Sequence, residues 1–372
     1  MGQGKQRQGS QELLDWLGLK LIPGVGSVTY ARLLAAFGSP GKALGAPLPA
    51  LMAIPRLRAE VARAVHRRAW SADPEDELRA LEAMGAAVIT LHSPEYPPLL
   101  AAIYAPPPVL LVRGGLGGCA GGGVAVVGSR NMSPYGRRLA AELGRDLARA
   151  GVSLVSGLAR GVDAVAHRAA LEAGGHSVGV LGCGLDVAYP REHRELIEQM
   201  AASGAVVSEF PLGTQPAPAH FPVRNRVISG LARAVVVVEA GIKSGSLITA
   251  RHALEQGRDV WAVPGPVGAP MSAGCNQLIK QGARLLSAGR DLLEPGALPP
   301  GPGPATPRPE EPGELNPAEA ALMEHLGPEP QHIDVIARSS GLEHGELSTL
   351  LLNLVLAERI LELPGKHYVL NL

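Results

Sequence analysis

From residue 76 to residue 294 the chain repeats one pattern: a short apolar run, a loop rich in glycine or serine, then a helical pattern. The strands it predicts are Ala86–Leu91, Val109–Val112, Val124–Val127, Val152–Val155, Val178–Leu181, Val206–Val207, Val235–Val238 and Val260–Val263. Helical patterns separate most of them, at Tyr135–Ala150, Val162–Ala173, Glu192–Ala202 and Ser246–Gln256. A strand that is apolar at every position has both faces covered, and intervening helices supply the crossovers of parallel strands. The predicted fold class is therefore α/β, with a doubly wound, mostly parallel sheet.

In such a sheet ligands sit beyond the carboxyl ends of the strands. Here those ends carry Gly128-Ser129-Arg130, Ser156-Gly157-Leu158-Ala159-Arg160-Gly161, Gly182-Cys183-Gly184 and Ser208-Glu209-Phe210. The last two carry Glu239-Ala240, with Lys243-Ser244-Gly245-Ser246 opening a helix, and Pro264-Gly265. Free amides at a helix N-terminus, with their partial positive charge, suit an anion. Gly245 lets the backbone come close to a phosphate, Lys243 adds a charge, and Arg130 offers a bidentate fork. Turns need glycine anyway, so plain turn chemistry explains any one loop; six such tips together favour anion binding.

The sharpest local signal is Phe221-Pro222-Val223-Arg224-Asn225-Arg226 at a predicted helix start. Arg224 and Arg226 do not share a helical face, so one is expected to meet a phosphate and the other to pair internally, with Glu239 as candidate partner. Phe221 is one of only three phenylalanines. It reads either as a stacking platform for a base or as a plug in the core.

Other chemistries lack their motifs. No G-x-G-x-x-G joins a strand to a helix with an acid ~20 positions on, and no G-x-x-x-x-G-K-[ST] occurs, which disfavours a dinucleotide cofactor and a P-loop NTPase. No serine nucleophile elbow is expected. Asp163 and His167, an i, i+4 pair, read as a cap and a core contact rather than a dyad. The histidines show no zinc-binding spacing, and three scattered cysteines make neither a zinc site nor a disulfide framework. No metal, cofactor or catalytic residue is expected. With 46% hydrophobic and 18% charged residues the chain can bury a core. It has no signal-like N-terminus and no run of ~18 apolar residues, so the expectation is a cytoplasmic protein with no membrane partner.

The expected domains are 1–75, 76–294 and 315–372, with a linker at 295–314 holding 8 Pro and 4 Gly. Residues 1–75 carry 10 Lys/Arg against 5 Asp/Glu, residues 76–314 carry 21 against 21, and residues 315–372 carry 3 against 8. A polyanion is thus met by the front or by local clusters in the middle, and repelled by the tail. The front reads as helical, with Leu21-Ile22-Pro23-Gly24-Val25-Gly26 as a tight hairpin and a fainter echo at Met52-Ala53-Ile54-Pro55-Arg56-Leu57. Such hairpin amides hold DNA phosphates in helix-hairpin-helix modules; a plain helical bundle with glycine turns is the alternative. In the tail, Pro317–Leu326, His332–Ser339 and His344–Glu358 read as helices and Ile360–Val369 as a hairpin turning at Pro364-Gly365. This is a winged-helix outline. Residues 342–358, which include the third helix, lack Arg and Lys and carry Glu343, Glu346 and Glu358, which points to a protein-contact or regulatory module.

The stretch from Val124 to Leu293 resembles the DNA-processing protein A (DprA/Smf) family. The matching pieces are AVVGSRNMSPYG (125–136), VSGLARGVDAVAHRAAL (155–171), VLGCGLDVAYP (180–190), SEFPLG (208–213), FPVRNRVISGLA (221–232), VVEAGIKSGSLITARHALEQGRDVWAVPG (237–265) and GCNQLIKQGA (274–283). YPPLLAAIYAPPPVLLVRG (96–114) is similar to the family's lead-in. The resemblance implies an extended Rossmann-like domain. It implies flanking domains: an N-terminal SAM-like or helix-hairpin-helix domain and a C-terminal winged helix. It also implies a non-enzymatic protein that binds single-stranded DNA and loads the RecA recombinase onto it in natural transformation. The family's Gly-Ser-Arg loop falls on Gly128, Ser129 and Arg130, and its aromatic-and-arginine segment on Phe221, Arg224 and Asn225. Ser156, Gly157, Arg226, Lys243, Ser244, Gly245 and Ser246 complete the expected DNA site. Many members carry a lysine just before the phenylalanine segment, whereas residues 215–220 offer no Lys or Arg. A homodimer is implied too, with Leu278, Ile279, Leu285 and Leu286 as candidate contacts; the alternative places all four in the core.

The rival reading is a nucleotide-binding Rossmann enzyme related to the nucleoside-monophosphate phosphoribohydrolases. Lys243–Thr249 lies where their glycine-rich loop would be, but without its tandem glycines, and Glu239 is the only acid immediately before it.

Overall fold

The computed structural model describes residues 2–299, 301, 317–327, 331–342, 344–356, 360–363 and 365–370. Most of the expected linker, together with Glu343, Glu358 and Pro364, lies outside the described residues. The chain divides into two compact units, residues 1–303 and 304–372.

Six helices open the first unit: α1 (Gly2–Lys20), α2 (Ser27–Phe37), α3 (Pro40–Leu44), α4 (Leu48–Met52), α5 (Ala59–His66) and α6 (Pro74–Ala83). The turns before α2 and α5 repeat each other. Val25 N–H donates to the Ile22 carbonyl at 3.0 Å, and Leu57 N–H to that of Ile54 at 3.2 Å. Both turns need a left-handed residue, Gly24 at φ 87° and Arg56 at φ 60°. Trp16, Leu17, Leu21, Tyr30 and Leu51 bury these helices in one core with Val109, Leu111 and Val206 of the sheet.

The sheet has nine strands: β1 (Ala86–Thr90), β2 (Val109–Gly114), β3 (Gly123–Val127), β4 (Leu154–Ser156), β5 (Ser177–Val180), β6 (Ala205–Ser208), β7 (Ala232–Val237), β8 (Asp259–Ala262) and β9 (Arg284–Leu285). Their order is β1-β2-β6-β5-β4-β3-β7-β8-β9. From β6 to β9 every pairing is parallel, whereas β2 runs antiparallel to both β1 and β6. The order reverses beside β3. The chain steps outward through β4, β5 and β6, then returns to place β7 on the other flank of β3.

The remaining helices of this unit are α7 (Pro98–Ala101), α8 (Pro134–Arg149), α9 (Val162–Glu172), α10 (Arg194–Ser203), α11 (His220–Gly230), α12 (Ser246–Glu255) and α13 (Ala273–Lys280). Strand β3 is buried at all five positions. Val124 and Val126 enter one core with Leu139, Leu143 and Leu147 of α8. Ala125 and Val127 enter the opposite core with Ile228 of α11 and Ala250 of α12. That alternation is the period-two geometry of a strand, with helices covering both faces. Helix α8 starts where the Ser133 hydroxyl accepts the Gly136 N–H at 3.1 Å, with Pro134 at its first position.

The second unit holds α14 (Pro317–Glu324), β10 (Gln331–His332), α15 (Ile333–Ser340), α16 (His344–Leu356), β11 (Ile360–Leu363) and β12 (His367–Leu370). Its three strands are antiparallel in the order β10-β12-β11. Ile336, Leu347, Leu351 and Leu354 form its core with Ile360 and Tyr368.

Candidate nucleic-acid interface

The reversal of strand order leaves a crevice at the carboxyl ends of β3 and β7, where doubly wound sheets bind ligands. A cleft of about 790 Å³ occupies it, lined by Gly128–Asn131 after β3, by Lys243–Ser246 after β7 and by Phe221, Arg224 and Asn225 of α11. A second cleft of about 730 Å³ shares Arg130, Tyr189, Phe221 and Arg224 with the first and continues along residues 186–194.

Phe221 stands in the wall common to both clefts and is half-buried. The guanidinium carbons of Arg130 and Arg224 lie 5.6 and 5.8 Å from its ring centre, and the Tyr189 ring lies 5.6 Å away at 31°. Behind it, a side chain at Gly182 would come within 3.1 Å of the ring. Glycine there lets the ring lie against the β5 tip.

Arg224 is buried, and its Nη1 and Nε are engaged. It donates to the carbonyls of Gly157, at 2.6 Å, and Val180, while its Nε donates to Asn225 Oδ1 at 3.2 Å. Burial pushes its pKa down to about 10, opposed by the carboxylate of Asp163. Asp163 accepts the Gly157 and Ala159 amides at 3.1 and 3.3 Å, and burial raises its pKa against the pull of Arg224. A Cβ at Gly157 would sit 2.8 Å from the Arg224 guanidinium, so this packing requires glycine. Arg224 therefore binds the β4 and β5 tips together. Its Nη1 and Nε are taken by protein acceptors, while the residue lines both clefts.

The expected pairing of an arginine with Glu239 is corrected. Residues 224 and 226 are about 200° apart around a helix, so Arg226 points away and lines neither cleft. It pairs with Glu209 at 2.5 Å and donates to the Ala105 carbonyl at 2.7 Å and the Ser27 hydroxyl at 3.1 Å. Glu239 instead accepts the Ser133 amide at 2.8 Å and the Ser133 hydroxyl, fixing the start of α8.

The cations left exposed in the larger cleft are Arg130 and Lys243. Beside Lys243, the Ser244 and Ser246 hydroxyls bond each other at 2.8 Å, and the first amides of α12 are taken within the turn: Ser246 N–H donates to the Ser244 hydroxyl at 3.4 Å, Leu247 N–H to the Ser244 carbonyl at 3.1 Å and Ile248 N–H to the Gly245 carbonyl at 3.1 Å. Ser129 is buried and accepts the Asn131 amide at 3.0 Å, which shapes the Arg130 loop. Asn225 reaches the Gly245 carbonyl at 3.5 Å. Ser156 is corrected as a contact: it is wholly buried and donates to the Val126 carbonyl at 2.6 Å, a bond inside the sheet. His167 has Ser177 as its partner at 2.8 Å, and burial lowers its pKa to about 3.

Sequence reasoning passed over Tyr189 and Thr249, both of which line the larger cleft. An aromatic before Pro190 in the loop that follows β5 was the available signal for Tyr189; a threonine one turn into a helix offers none. Among the candidate dimer residues, Leu278 and Leu286 belong to the cores and Ile279 packs against one of them. Leu285, on the edge strand β9, is 49% exposed. The difference follows from alternation: Leu286 faces inward because its neighbour Leu285 faces out.

No described helix is long and apolar enough to cross a membrane, and no described cluster of His, Cys, Asp or Glu could hold a metal ion.

Comparison with known proteins gives three family matches. Residues 87–296 match the model for DNA recombination-mediator protein A, residues 10–80 a DprA-like N-terminal HHH domain, and residues 304–366 the DprA winged helix domain. Protein Smf of Escherichia coli (strain K12) is 44% identical over 299 residues, covering 79% of this chain and 80% of the relative. The X-ray structure of DNA processing protein A from Streptococcus pneumoniae aligns with TM-score 0.66 and 34% identity, covering 75% of this chain and 95% of that one. A Helicobacter pylori DNA processing protein A structure, described for its single-stranded DNA binding mode, aligns with TM-score 0.51 and 28% identity over 56% of this chain and 94% of that one. With the switch-point cleft, the helical front and the winged tail all accounted for, the chain belongs to the DNA recombination-mediator protein A family, that of the DprA and Smf proteins.

Proposed function

We propose that this chain binds single-stranded DNA at the strand-tip clefts and delivers it to the RecA recombinase in the processing of DNA taken up by natural transformation. The observation that carries the reading is the meeting of two unengaged cations, Arg130 and Lys243, with the half-buried ring of Phe221 in one crevice. Cations beside an aromatic platform suit a strand whose bases are free to stack. Gly128 and Ser129 shape the Arg130 loop, and Ser244, Gly245 and Ser246 present the end of α12. Gly157, Arg224 and Asn225 hold the wall. The Helicobacter pylori DNA processing protein A, described for its single-stranded DNA binding mode, supports the same choice. The division into residues 1–75, 76–294 and 315–372, and a homodimer with Leu285 at its contact, belong to this reading.

The test is a titration of labelled single-stranded and duplex oligonucleotides of equal length across a salt series. Single strands should bind more tightly, and affinity should fall as salt rises because bound phosphates release counterions. Equal or tighter duplex binding overturns the proposal. Release of free base from a nucleoside monophosphate would support the hydrolase reading instead.

A further inference from the structure

The smaller cleft shares Arg130, Gly157, Phe221 and Arg224 with the site read from the sequence, but its far end lies outside that site, and it is continuous with the larger cleft. The two share Arg130, Tyr189, Phe221 and Arg224. Their common wall is aromatic on both sides, because Tyr189 is 37% exposed beside the Phe221 ring. At the far end stand Arg191 and Arg194, both exposed. Neither enters an ion pair among the described residues.

The acids lining this cleft are differently placed. Both oxygens of Asp186 accept the Gly213 amide at 2.9 Å, and Glu192 is paired with Arg160. The carboxylates are engaged and two guanidinium groups are not, so the far end favours an anion.

Resting on the single-strand reading above, we propose that the smaller cleft is a second nucleotide subsite. The strand leaves the larger cleft beside Arg130 and crosses the Phe221 wall. Its next base stacks on Tyr189, and the phosphate that follows lies by Arg191 and Arg194. The occupant is a continuing polynucleotide, because the two clefts share one wall and Arg130 lines both.

The full-length protein, titrated with fluorescent oligothymidylate by anisotropy over a salt series, tests this. Tyr189→Ala should weaken binding roughly five- to hundred-fold, the loss of one base–aromatic stack, with little change in salt slope. Tyr189→Phe should restore it. Joint replacement Arg191→Ala and Arg194→Ala should lower the salt slope by about 0.7, the share of the one phosphate they hold. The arginines are exposed, so this double variant decides the matter even if Tyr189→Ala fails to fold. If Arg130→Ala weakens binding while the Tyr189 and double-arginine variants match the unaltered protein, the second subsite is wrong. If Arg130→Ala also changes nothing, the single-strand reading falls with it.

Discussion

The strand tips of the sheet depart from what their region's charge count suggests, whereas the C-terminal unit follows its own. Residues 76–314 are balanced, 21 basic against 21 acidic, while residues 315–372 are acidic, 3 against 8. Yet the balanced region holds a cationic crevice. Its acids are engaged: Asp163 by backbone amides, Glu209 by Arg226 and Glu239 by Ser133, which leaves Arg130 and Lys243 exposed in the cleft. In the C-terminal unit, α16 contains no Arg or Lys. The field that a ligand meets is set by the charges left over after internal pairing, and net charge does not report it.

The strongest way to break this distinction is to remove a charge that is already engaged. Arg224→Ala should cost the fold about 3–5 kcal/mol, because Asp163 and two carbonyls lose a buried partner, whereas Arg130→Ala should stay within ~0.5 kcal/mol. Chemical unfolding of both variants measures the contrast, and equal stabilities would erase it.

Acidification probes the same buried shell. His167 has its pKa lowered to about 3 in the fold, against ~6.5 when unfolded. Between those values the unfolded chain takes up a proton that the native protein refuses. Stability should therefore fall as pH drops below ~6.5, by at most about 1.4 kcal/mol per unit, or about 3 kcal/mol by pH 4. Unfolding curves from pH 7 to 4 on the unaltered protein and His167→Gln check this; an identical pH slope in the two removes His167 as the source.

Phe221→Ala should weaken single-strand binding by about 1–3 kcal/mol without altering the salt slope. A loss of stability in place of affinity would return Phe221 to the role of core plug. Arg130→Ala should instead lower the salt slope by about 0.7, one phosphate's share on a single strand. The smallest effect belongs to the tail. Deleting residues 315–372 should change single-strand affinity by less than about threefold, since that unit has its own core and an unfavourable charge for a polyanion. Abolished binding by a truncated protein whose circular dichroism is native would overturn the comparison outright.

Much of the architecture was legible along the chain. Burial on both faces writes itself into consecutive residues, as in Gly123–Val127, and Ser133-Pro134 marks a helix start within a few positions. The strand tips could be read because glycine, serine and lysine cluster there in sequence. The reversed direction of β2 was not legible, because an apolar run looks the same in either orientation. Nor was the exposure of Leu285 against the burial of Leu286, which depends on the neighbour β9 finds.

The sequence by itself determined the order of elements, the two-faced burial of the central strands and the concentration of phosphate-suited residues at their ends. These are local patterns, set by the periods of strand and helix. Only the tertiary structure decided which of those residues are free to act. Arg224 is engaged by a carbonyl 67 positions away, Arg226 by a hydroxyl 199 positions away and Glu239 by a serine 106 positions away. Such partners meet only when the sheet assembles, and hydrogen bonds made at that distance in sequence leave no periodic trace in the chain.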